Sequence, residues 1–424
     1  MLFKKDKQAA STGSEKSLQE KMIEKEEAAA TKERMAEELI QGKISLFKNP
    51  LAVATALVAV VLALLHIFYA YNGVIEAWSL RFAHLTLILL MCFLMKPTGR
   101  ASVKQKPTIG TVWDLVAIAA TLVVAVYIFS DIAGFQNRAG MLNKMDVIMG
   151  AIFIVLVLEA TVGKVMVILC LFFLAHTAFS HYFPGFLNGP PSSLKSIVNW
   201  IFASTEGIFS TPVGVMASYI FLFVLFGSLM IHTGAGELFI DFALVATGKM
   251  QGGPAKAAVV SSAIMGTVSG SAAGNVVTTG TFTIPLMKKV GFPPAFAGAV
   301  EACASSGGQI MPPVMAATAF IIAETMGVPY IKVVVAAIIP AAMYYWSIFK
   351  MVDIESYMQD LKPLKQEDLP DLKAEFKEKG HLIIPLAVLI IVIFMGMSAG
   401  KSVAIAIALI FIVSSLRKST RMSI

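Results

Sequence analysis

The chain has 424 residues, of which 57% are hydrophobic and 14% are charged, and its formal net charge is +7. This composition excludes an ordinary soluble globular domain and is typical of an integral membrane protein. Because the basic residues lie between apolar segments and do not cluster on a soluble domain, they argue against nucleic acid as a partner and for a lipid bilayer as the surroundings.

The first part of the chain is predicted to contain a charged helix followed by five membrane spans. Residues 1–49 have no long apolar run and have balanced charge, which is typical of an exposed cytoplasmic helix. The loop 96–106 contains four basic residues, so this loop and the N-terminus are predicted to be cytoplasmic. Within residues 50–193, spans are expected at about 51–71, 77–95, 112–129, 147–158 and 165–182.

A Pro/Gly/Ser-rich break at 181–193 separates this region from a second membrane region at 194–352. In the second region we expect a sixth span at about 213–231 and an amphipathic helix at 236–250 that lies along the membrane surface. The remaining predicted elements are a span at 333–349, a charged connector at 353–381 and, within residues 382–424, a helix pair at 382–397 and 402–416.

The most polar stretch within the apolar region, at 266–280, predicts a re-entrant helical hairpin. Its two apolar arms, 257–268 and 276–287, have about 12 residues each, which is too few to cross a bilayer as a helix. A tip at 269–275 keeps Lys256, before the first arm, on the same cytoplasmic side as the two lysines that follow the second arm. A single kinked crossing would separate these charges.

A second discontinuity follows the hairpin directly. The helix that begins near Phe296 is interrupted at 304–313 and resumes as far as about Met326. The interruption contains two adjacent glycines and two adjacent prolines, which weaken a helix and remove backbone donors. Irregular backbone at membrane depth is tolerated only where it is buried in protein or lines a polar cavity. The sequence therefore predicts a broken helix at such a place.

Two neighbouring breaks of this kind predict the binding site of a transporter. Carbonyl oxygens at helix ends can replace the hydration shell of a cation such as Na⁺, and amides at helix starts can face an anion. Packing of small residues is the alternative explanation for any single position. The candidate binding residues are Ser269, Gly270, Ser271, Asn275, Thr278, Thr279, Ser305, Ser306, Gly307, Gly308, Gln309 and Pro312.

Two acidic residues lie within apolar helices, where an ionisable side chain is costly and a functional role is the default hypothesis. Glu301 is the better candidate for orienting the site or for binding a cation or a proton, with a structural hydrogen bond as the alternative. Glu324 lies close to a predicted span end, where it can reach water. No enzyme motif of the GxSxG or HExxH type accompanies them, so we expect no catalytic residues.

Residues 207–330 include the segments GTVSGSAAGNVVTTG and EACASSGGQIMPPVM. This region resembles the fused membrane permease of tripartite ATP-independent periplasmic (TRAP) transporters, in the branch served by TAXI-type binding proteins. The resemblance implies an all-α polytopic membrane protein with an elevator-type fold, in which the hairpin and the broken helix belong to the first half. The five N-terminal spans are similar to the small membrane subunit with a fusing helix, which would form part of a static scaffold.

The family likeness also implies a function. We expect sodium-coupled secondary uptake of an organic acid, delivered by a periplasmic binding protein of the TAXI type, across a bacterial inner membrane. Sodium is the expected coupling ion, and no other cofactor is expected. The resemblance places sodium near Ser269, Ser271, Asn275, Gly307 and Gly308.

The family carries a second, inverted half with its own hairpin and broken helix, and no second Gly/Ser hairpin follows Leu382 here. We therefore expect this chain to be an N-terminal portion that does not transport alone. A non-transporting membrane scaffold is the main alternative function, and a membrane-embedded enzyme is a weaker one.

Overall fold

The computed structural model describes residues 50–95, 109–161, 163–417 and 419–422. These residues form α-helices joined by loops and short helical turns, without any strand. The prediction of an all-α polytopic membrane protein is therefore confirmed. The predicted cytoplasmic helix at 1–49 and the basic loop at 96–106 lie outside the described residues.

Seventeen helices are used below, numbered in chain order within the described residues. They are α1 (Pro50–Asn72), α2 (Ala77–Met95), α3 (Ile109–Ser130), α4 (Ile132–Asn137), α5 (Lys144–Ala160), α6 (Lys164–Phe179), α7 (Leu194–Ala203), α8 (Thr211–His232), α9 (Ala235–Thr247), α10 (Gly253–Ser269), α11 (Ala272–Lys289), α12 (Pro294–Gly307), α13 (Ala317–Met326), α14 (Tyr330–Met358), α15 (Leu372–Lys379), α16 (Ile383–Phe394) and α17 (Ala399–Ser414).

Six of the described helices are long and apolar enough to cross a membrane. Five of them correspond to the predicted first, second, third, fifth and sixth spans, and the last, α14, corresponds to the span predicted at 333–349. The six spans are Leu51–Asn72, Ala77–Met95, Val112–Ser130, Lys164–Tyr182, Thr211–His232 and Tyr330–Met358. The predicted fourth span is the helix α5, which has 17 residues.

The helix α14 differs from its prediction at its C-terminal end. It has 29 residues and runs to Met358, whereas the sequence predicted a span to 349 and a connector from 353. The acidic residue at the predicted boundary, Asp353, accepts a hydrogen bond from Lys256 of α10. This partner holds the charge of Asp353, and α14 continues past the end of the apolar run.

The described chain divides into two compact units. The smaller one includes the start of α1, the end of α2 and the first turns of α3, and the larger one includes everything from residue 115 onward. The larger unit has one core in which α17 packs on both α8 and α16, and a second core around α10, α12 and α14. The candidate site described below lies entirely within this larger unit.

The helix α9 forms where the sequence predicted an amphipathic helix at 236–250. One face of it is buried, including Leu238, Phe239 and Ala243, and it packs extensively on α10. Its charged residues meet α15 on another side, where Lys379 forms an ion pair with Glu237 at 2.7 Å. The amphipathic pattern is thus explained by packing on the hairpin, and the position along a membrane surface stays a prediction.

Candidate functional site: the hairpin tip and the broken helix

The helices α10 and α11 form an antiparallel hairpin with a two-residue tip. Gly270 ends α10 with φ 58°, in the left-handed region that favours glycine. Ser271 begins α11, and its hydroxyl accepts a hydrogen bond from the Gly274 amide at 3.2 Å. The predicted arm length of about 12 residues is wrong, because the arms have 17 and 18 residues. Small polar residues remain helical on both sides of Gly270, so the break is confined to the tip.

The second discontinuity separates α12, which ends at Gly307, from α13, which begins at Ala317. The predicted interruption began at 304, but the serines there remain helical, and the irregular segment is 308–316. Met315 has a φ of 54°, an unfavourable conformation for a non-glycine residue that is often found at functional sites. The Tyr330 hydroxyl lies 2.8 Å from the carbonyl oxygens of both Pro313 and Val314 and holds this segment in place.

The hairpin tip and the broken helix pack directly on each other. A Cβ atom at Gly270 would stand 1.9 Å from the carbonyl oxygen of Met315, so only glycine permits this approach. One turn before the tip, a Cβ atom at Gly266 would stand 2.5 Å from Cα of Gly308. The two breaks that the sequence predicted separately therefore form one backbone-to-backbone contact.

A buried polar cluster lies beneath this contact. Glu301 of α12 is completely buried, and its carboxylate accepts hydrogen bonds from hydroxyl groups of three helices. Ser305 donates at 3.0 Å and Ser262 at 3.3 Å, and Thr279 and Thr283 also donate to this carboxylate. Ser262 and Thr283 are not among the residues predicted from the sequence. Their four-residue spacing from Gly266 and Thr279, on the same faces of α10 and α11, is the signal that could have found them.

Asn275 connects this cluster to the hairpin. It is completely buried, and its side-chain amide donates to the carbonyl oxygen of Ser262 at 2.9 Å. The backbone carbonyl oxygen of Asn275 accepts from the Thr279 hydroxyl at 2.8 Å. A Cβ atom at Gly308 would lie 3.2 Å from the Asn275 amide nitrogen, so the cluster reaches the start of the irregular segment.

The structure brings together some of the sequence-predicted residues and separates others. Asn275, Thr279, Glu301, Ser305 and Gly308 lie in or beside the buried cluster. Gly307 packs on the rings of two tyrosines of α14 and not on the hairpin. Of the others, Ser269, Gly270 and Ser271 lie at the tip, Thr278 lies within α11, Ser306 lies at the end of α12, and Gln309 and Pro312 lie in the irregular segment.

Two of these residues form side-chain hydrogen bonds within their own helices. The Thr278 hydroxyl donates to the Gly274 carbonyl at 2.8 Å, and the Ser306 hydroxyl donates to the Ala302 carbonyl at 2.7 Å. Their side-chain oxygens keep lone pairs for a ligand. For Gln309, the backbone carbonyl accepts from the Ala316 amide at 2.8 Å and so closes the irregular segment.

Lys256 forms a contact that was not predicted from the sequence. Its cytoplasmic position stays a prediction, and in the structure its side chain is only 2% exposed and donates to Asp353 of α14. Its ammonium group also lies 5.5 Å from the ring centroid of Phe349. Lys256 therefore fastens the base of the hairpin to α14. Glu324, in contrast, is exposed near the end of α13, as its position in the sequence predicted.

Residues 149–424 match the family model described as the tripartite ATP-independent periplasmic transporter, DctM component. The chain belongs to this family. The matched region of this TRAP transporter component includes the whole hairpin, the broken helix and the buried cluster around Glu301. The predicted resemblance to a TRAP permease is thereby confirmed.

Three curated relatives illustrate the range of similarity. The uncharacterized protein y4mL of Sinorhizobium fredii is 36% identical over 121 residues, which cover 28% of each chain. The C4-dicarboxylate TRAP transporter large permease protein DctM of Pseudomonas aeruginosa is 24% identical over 190 residues, covering 44% of this chain and 42% of that protein. A putative TRAP transporter large permease protein of Haemophilus influenzae is 29% identical over 121 residues. The chain spans less than half the length of these relatives.

Proposed function

We propose that this TRAP permease chain contributes to sodium-coupled secondary uptake of an organic acid. The contact between the hairpin tip and the broken helix carries the proposal, because two helix discontinuities packed together concentrate unpaired backbone groups at one place. The substrate class is an organic anion with a carboxylate, in keeping with the family and with the relative named as a C4-dicarboxylate permease.

Sodium binding is supported by neutral oxygens at the hairpin tip, in the cluster beneath it and at the end of α12. Serine hydroxyls at Ser269 and Ser271, the amide of Asn275 and the backbone carbonyls at Gly307 and Gly308 are neutral oxygen ligands. Hard monovalent and divalent cations prefer such oxygens to nitrogen or sulfur. We propose that the coupling ion binds there when the tip and the broken helix are closed on each other.

Substrate binding is supported by the start of α13, two residues after Met315, whose carbonyl oxygen meets the hairpin tip. The helix α13 begins at Ala317, and its preceding residue, Ala316, provides no side-chain cap for the first amides. Uncapped amides at a helix start, with the partial positive charge of the helix dipole, favour a carboxylate. The substrate carboxylate is proposed to lie beside the tip, next to the sodium.

The proposed partner is a periplasmic binding protein of the TAXI type, and the proposed location is a bacterial inner membrane with the N-terminus in the cytoplasm. The partner is inferred from the family, in which the permease works with a periplasmic binding protein. The elevator motion is proposed for the hairpin, α12 and α14 together, which share one core and the buried Lys256–Asp353 pair.

Uptake into proteoliposomes tests this function. The chain, reconstituted with its binding protein and with any further permease chain that the system contains, is expected to take up substrate when a Na⁺ gradient is present. Ser271→Ala and Asn275→Ala are expected to weaken the Na⁺ dependence and to leave membrane insertion intact. Thr281→Ala is the matched control, because Thr281 is an exposed residue of α11 whose hydroxyl bonds only to the Thr278 carbonyl.

Undiminished uptake in a medium that contains K⁺ and no Na⁺ would overturn the sodium coupling. Unchanged Na⁺ activation in both tip variants would remove Ser271 and Asn275 from the site and leave the sodium coupling itself in place.

A further inference from the structure

Glu301 is a buried acid that lacks a side-chain counterion among the described residues. Its exposed fraction is 0%, and its hydrogen-bond partners are all hydroxyl groups. The lysine of the neighbouring helix, Lys256, donates to Asp353. An ionised carboxylate is expensive to bury unless its charge is compensated. A small cation that is not part of the chain can supply this compensation.

The oxygens around this carboxylate converge from three helices. Oε1 of Glu301 lies 3.0 Å from Oγ of Ser305 and 3.3 Å from Oγ of Ser262. Oγ of Ser262 lies 3.2 Å from Oγ1 of Thr279, which in turn lies 3.5 Å from Oδ1 of Asn275. One carboxylate, three hydroxyl oxygens and one amide oxygen form a set that hard cations favour. A proton alone would need only one of these oxygens.

The hydroxyl hydrogens have other acceptors within reach. The Thr279 hydroxyl lies 2.8 Å from the Asn275 carbonyl oxygen, and the Thr283 hydroxyl lies 3.0 Å from the Thr279 carbonyl oxygen. Threonine hydroxyls in helices often bond to the carbonyl four residues earlier. The Thr279 oxygen can therefore turn its lone pairs toward a cation while its hydrogen remains bonded. This freedom allows the cluster to exchange a hydrogen-bonded state for a cation-bound state without unfolding a turn.

We propose that Glu301, Ser262, Thr279, Ser305 and Asn275 form a second sodium site inside the hairpin, which shares Asn275 with the tip site and otherwise uses different ligands. This site deepens the proposed function and rests on it only for the link between binding and transport. A cation held there contacts α10, α11 and α12 together, so its binding fastens the hairpin to the first half of the broken helix. The cluster would then respond to Na⁺ even when the substrate is absent.

The experiment measures Na⁺ binding without transport. The full chain in lipid nanodiscs is melted at pH 7.5 in NaCl and in choline chloride, at equal ionic strength, over a range of Na⁺ concentrations. The wild type is expected to gain thermal stability with Na⁺. Glu301→Gln is expected to raise the half-maximal Na⁺ concentration by about tenfold or more, because changes to the groups around a bound metal typically weaken its binding by that factor. Ser305→Ala is expected to raise it by a smaller factor.

Thr281→Ala is the matched control, because Thr281 is an exposed residue of α11 whose hydroxyl bonds to the Thr278 carbonyl, and its half-maximal Na⁺ concentration is expected to stay close to the wild-type value. If Glu301→Gln does not fold, Ser262→Ala and Ser305→Ala replace it, because each removes one oxygen and leaves the carboxylate in place. Unchanged Na⁺ sensitivity in these variants overturns the site. A wild type that is stabilised by acid and not by Na⁺ also overturns it, because the carboxyl group then holds a proton.

The two proposals fail in different ways. Loss of the Na⁺ effect on stability, with Na⁺-driven uptake preserved, rejects the interior site alone. Preserved Na⁺ binding without Na⁺-driven uptake rejects the proposed coupling and leaves the interior site standing.

Discussion

Gly266 of the first hairpin arm lies directly against Gly308 at the start of the irregular segment. A Cβ atom at Gly266 would stand 2.5 Å from Cα of Gly308, and backbone atoms cannot give way as a flexible side chain can. Gly266→Ala is therefore expected to separate the hairpin from the broken helix and to lower the free energy of unfolding by about 1–3 kcal/mol, as overpacking does.

A glycine of α12 provides the control for this variant. A Cβ atom at Gly298 meets nothing within 4 Å, so Gly298→Ala is expected to stabilise the helix by about 0.5–1 kcal/mol. The measurement is thermal or denaturant unfolding of the purified chain in detergent. Equal effects of the two substitutions would show that the close approach of Gly266 and Gly308 does not matter for stability.

The buried ion pair at the base of the hairpin predicts an asymmetric result. Asp353→Ala leaves the ammonium group of Lys256 buried without a partner and is expected to cost about 2–4 kcal/mol, somewhat less than a fully buried pair because Asp353 is 22% exposed. The double variant with Lys256→Met is expected to recover a large part of this loss, because no charge then remains buried. Denaturant unfolding checks both, and a double variant no more stable than Asp353→Ala contradicts the prediction.

Lys350 offers a control for that pair. Its ammonium group lies 3.7 Å from the other carboxylate oxygen of Asp353, but its side chain is 49% exposed. Lys350→Met is therefore expected to change the stability by less than about 1 kcal/mol, as for most exposed ion pairs. A loss as large as that of Asp353→Ala would mean that Lys350, and not Lys256, is the essential partner.

The Tyr330 hydroxyl predicts a local effect on the broken helix. Tyr330→Phe removes the contact with the carbonyl oxygens of Pro313 and Val314, at an expected cost of about 1 kcal/mol. The amides of residues 308–316 are expected to exchange faster in hydrogen-exchange mass spectrometry. Tyr344→Phe is the matched control, because its hydroxyl bonds to the carbonyl of Cys303, within α12. Unchanged exchange in Tyr330→Phe would show that other contacts hold the segment.

Asp241 predicts a pH-dependent stability. It lies on α9, outside the six long apolar helices, and burial together with the nearby charge of Glu375 raises its pKa to about 6. In the unfolded chain an aspartate titrates near pH 3.9. As pH rises through the window from about 4 to 6, the unfolded state ionises first and the folded state loses stability, with the loss complete above pH 6.

Asp241→Asn removes this loss. The variant is expected to melt at a higher temperature than the wild type at pH 7.5, and the difference is expected to shrink as the pH falls from 6 toward 4. Thermal melting across this range is the measurement. A difference that stays constant with pH would show that the Asp241 carboxylate is not the cause.

The elements of the fold followed from the sequence because their signals are local. Apolar runs of about 20 residues specify helices that can cross a bilayer, and six of the predicted runs lie where the long apolar helices of the structure lie. Gly270 marked the hairpin tip, and the glycine and proline pairs marked the broken helix, because these residues limit backbone geometry wherever they occur. Asn275 and Glu301 also stood out locally, because each is polar in apolar surroundings.

Side-chain partnerships required the tertiary structure, because they join residues that are distant in the chain. The sequence placed Lys256 by its charge alone, whereas the packing of α10 on α14 buries it beside Asp353, 97 positions later. Ser262 and Thr283 look like ordinary small helix residues until α10, α11 and α12 converge on the carboxylate of Glu301. Charge and apolarity are properties of single residues and can be read along the chain, but the compensation of a buried charge depends on which helices meet.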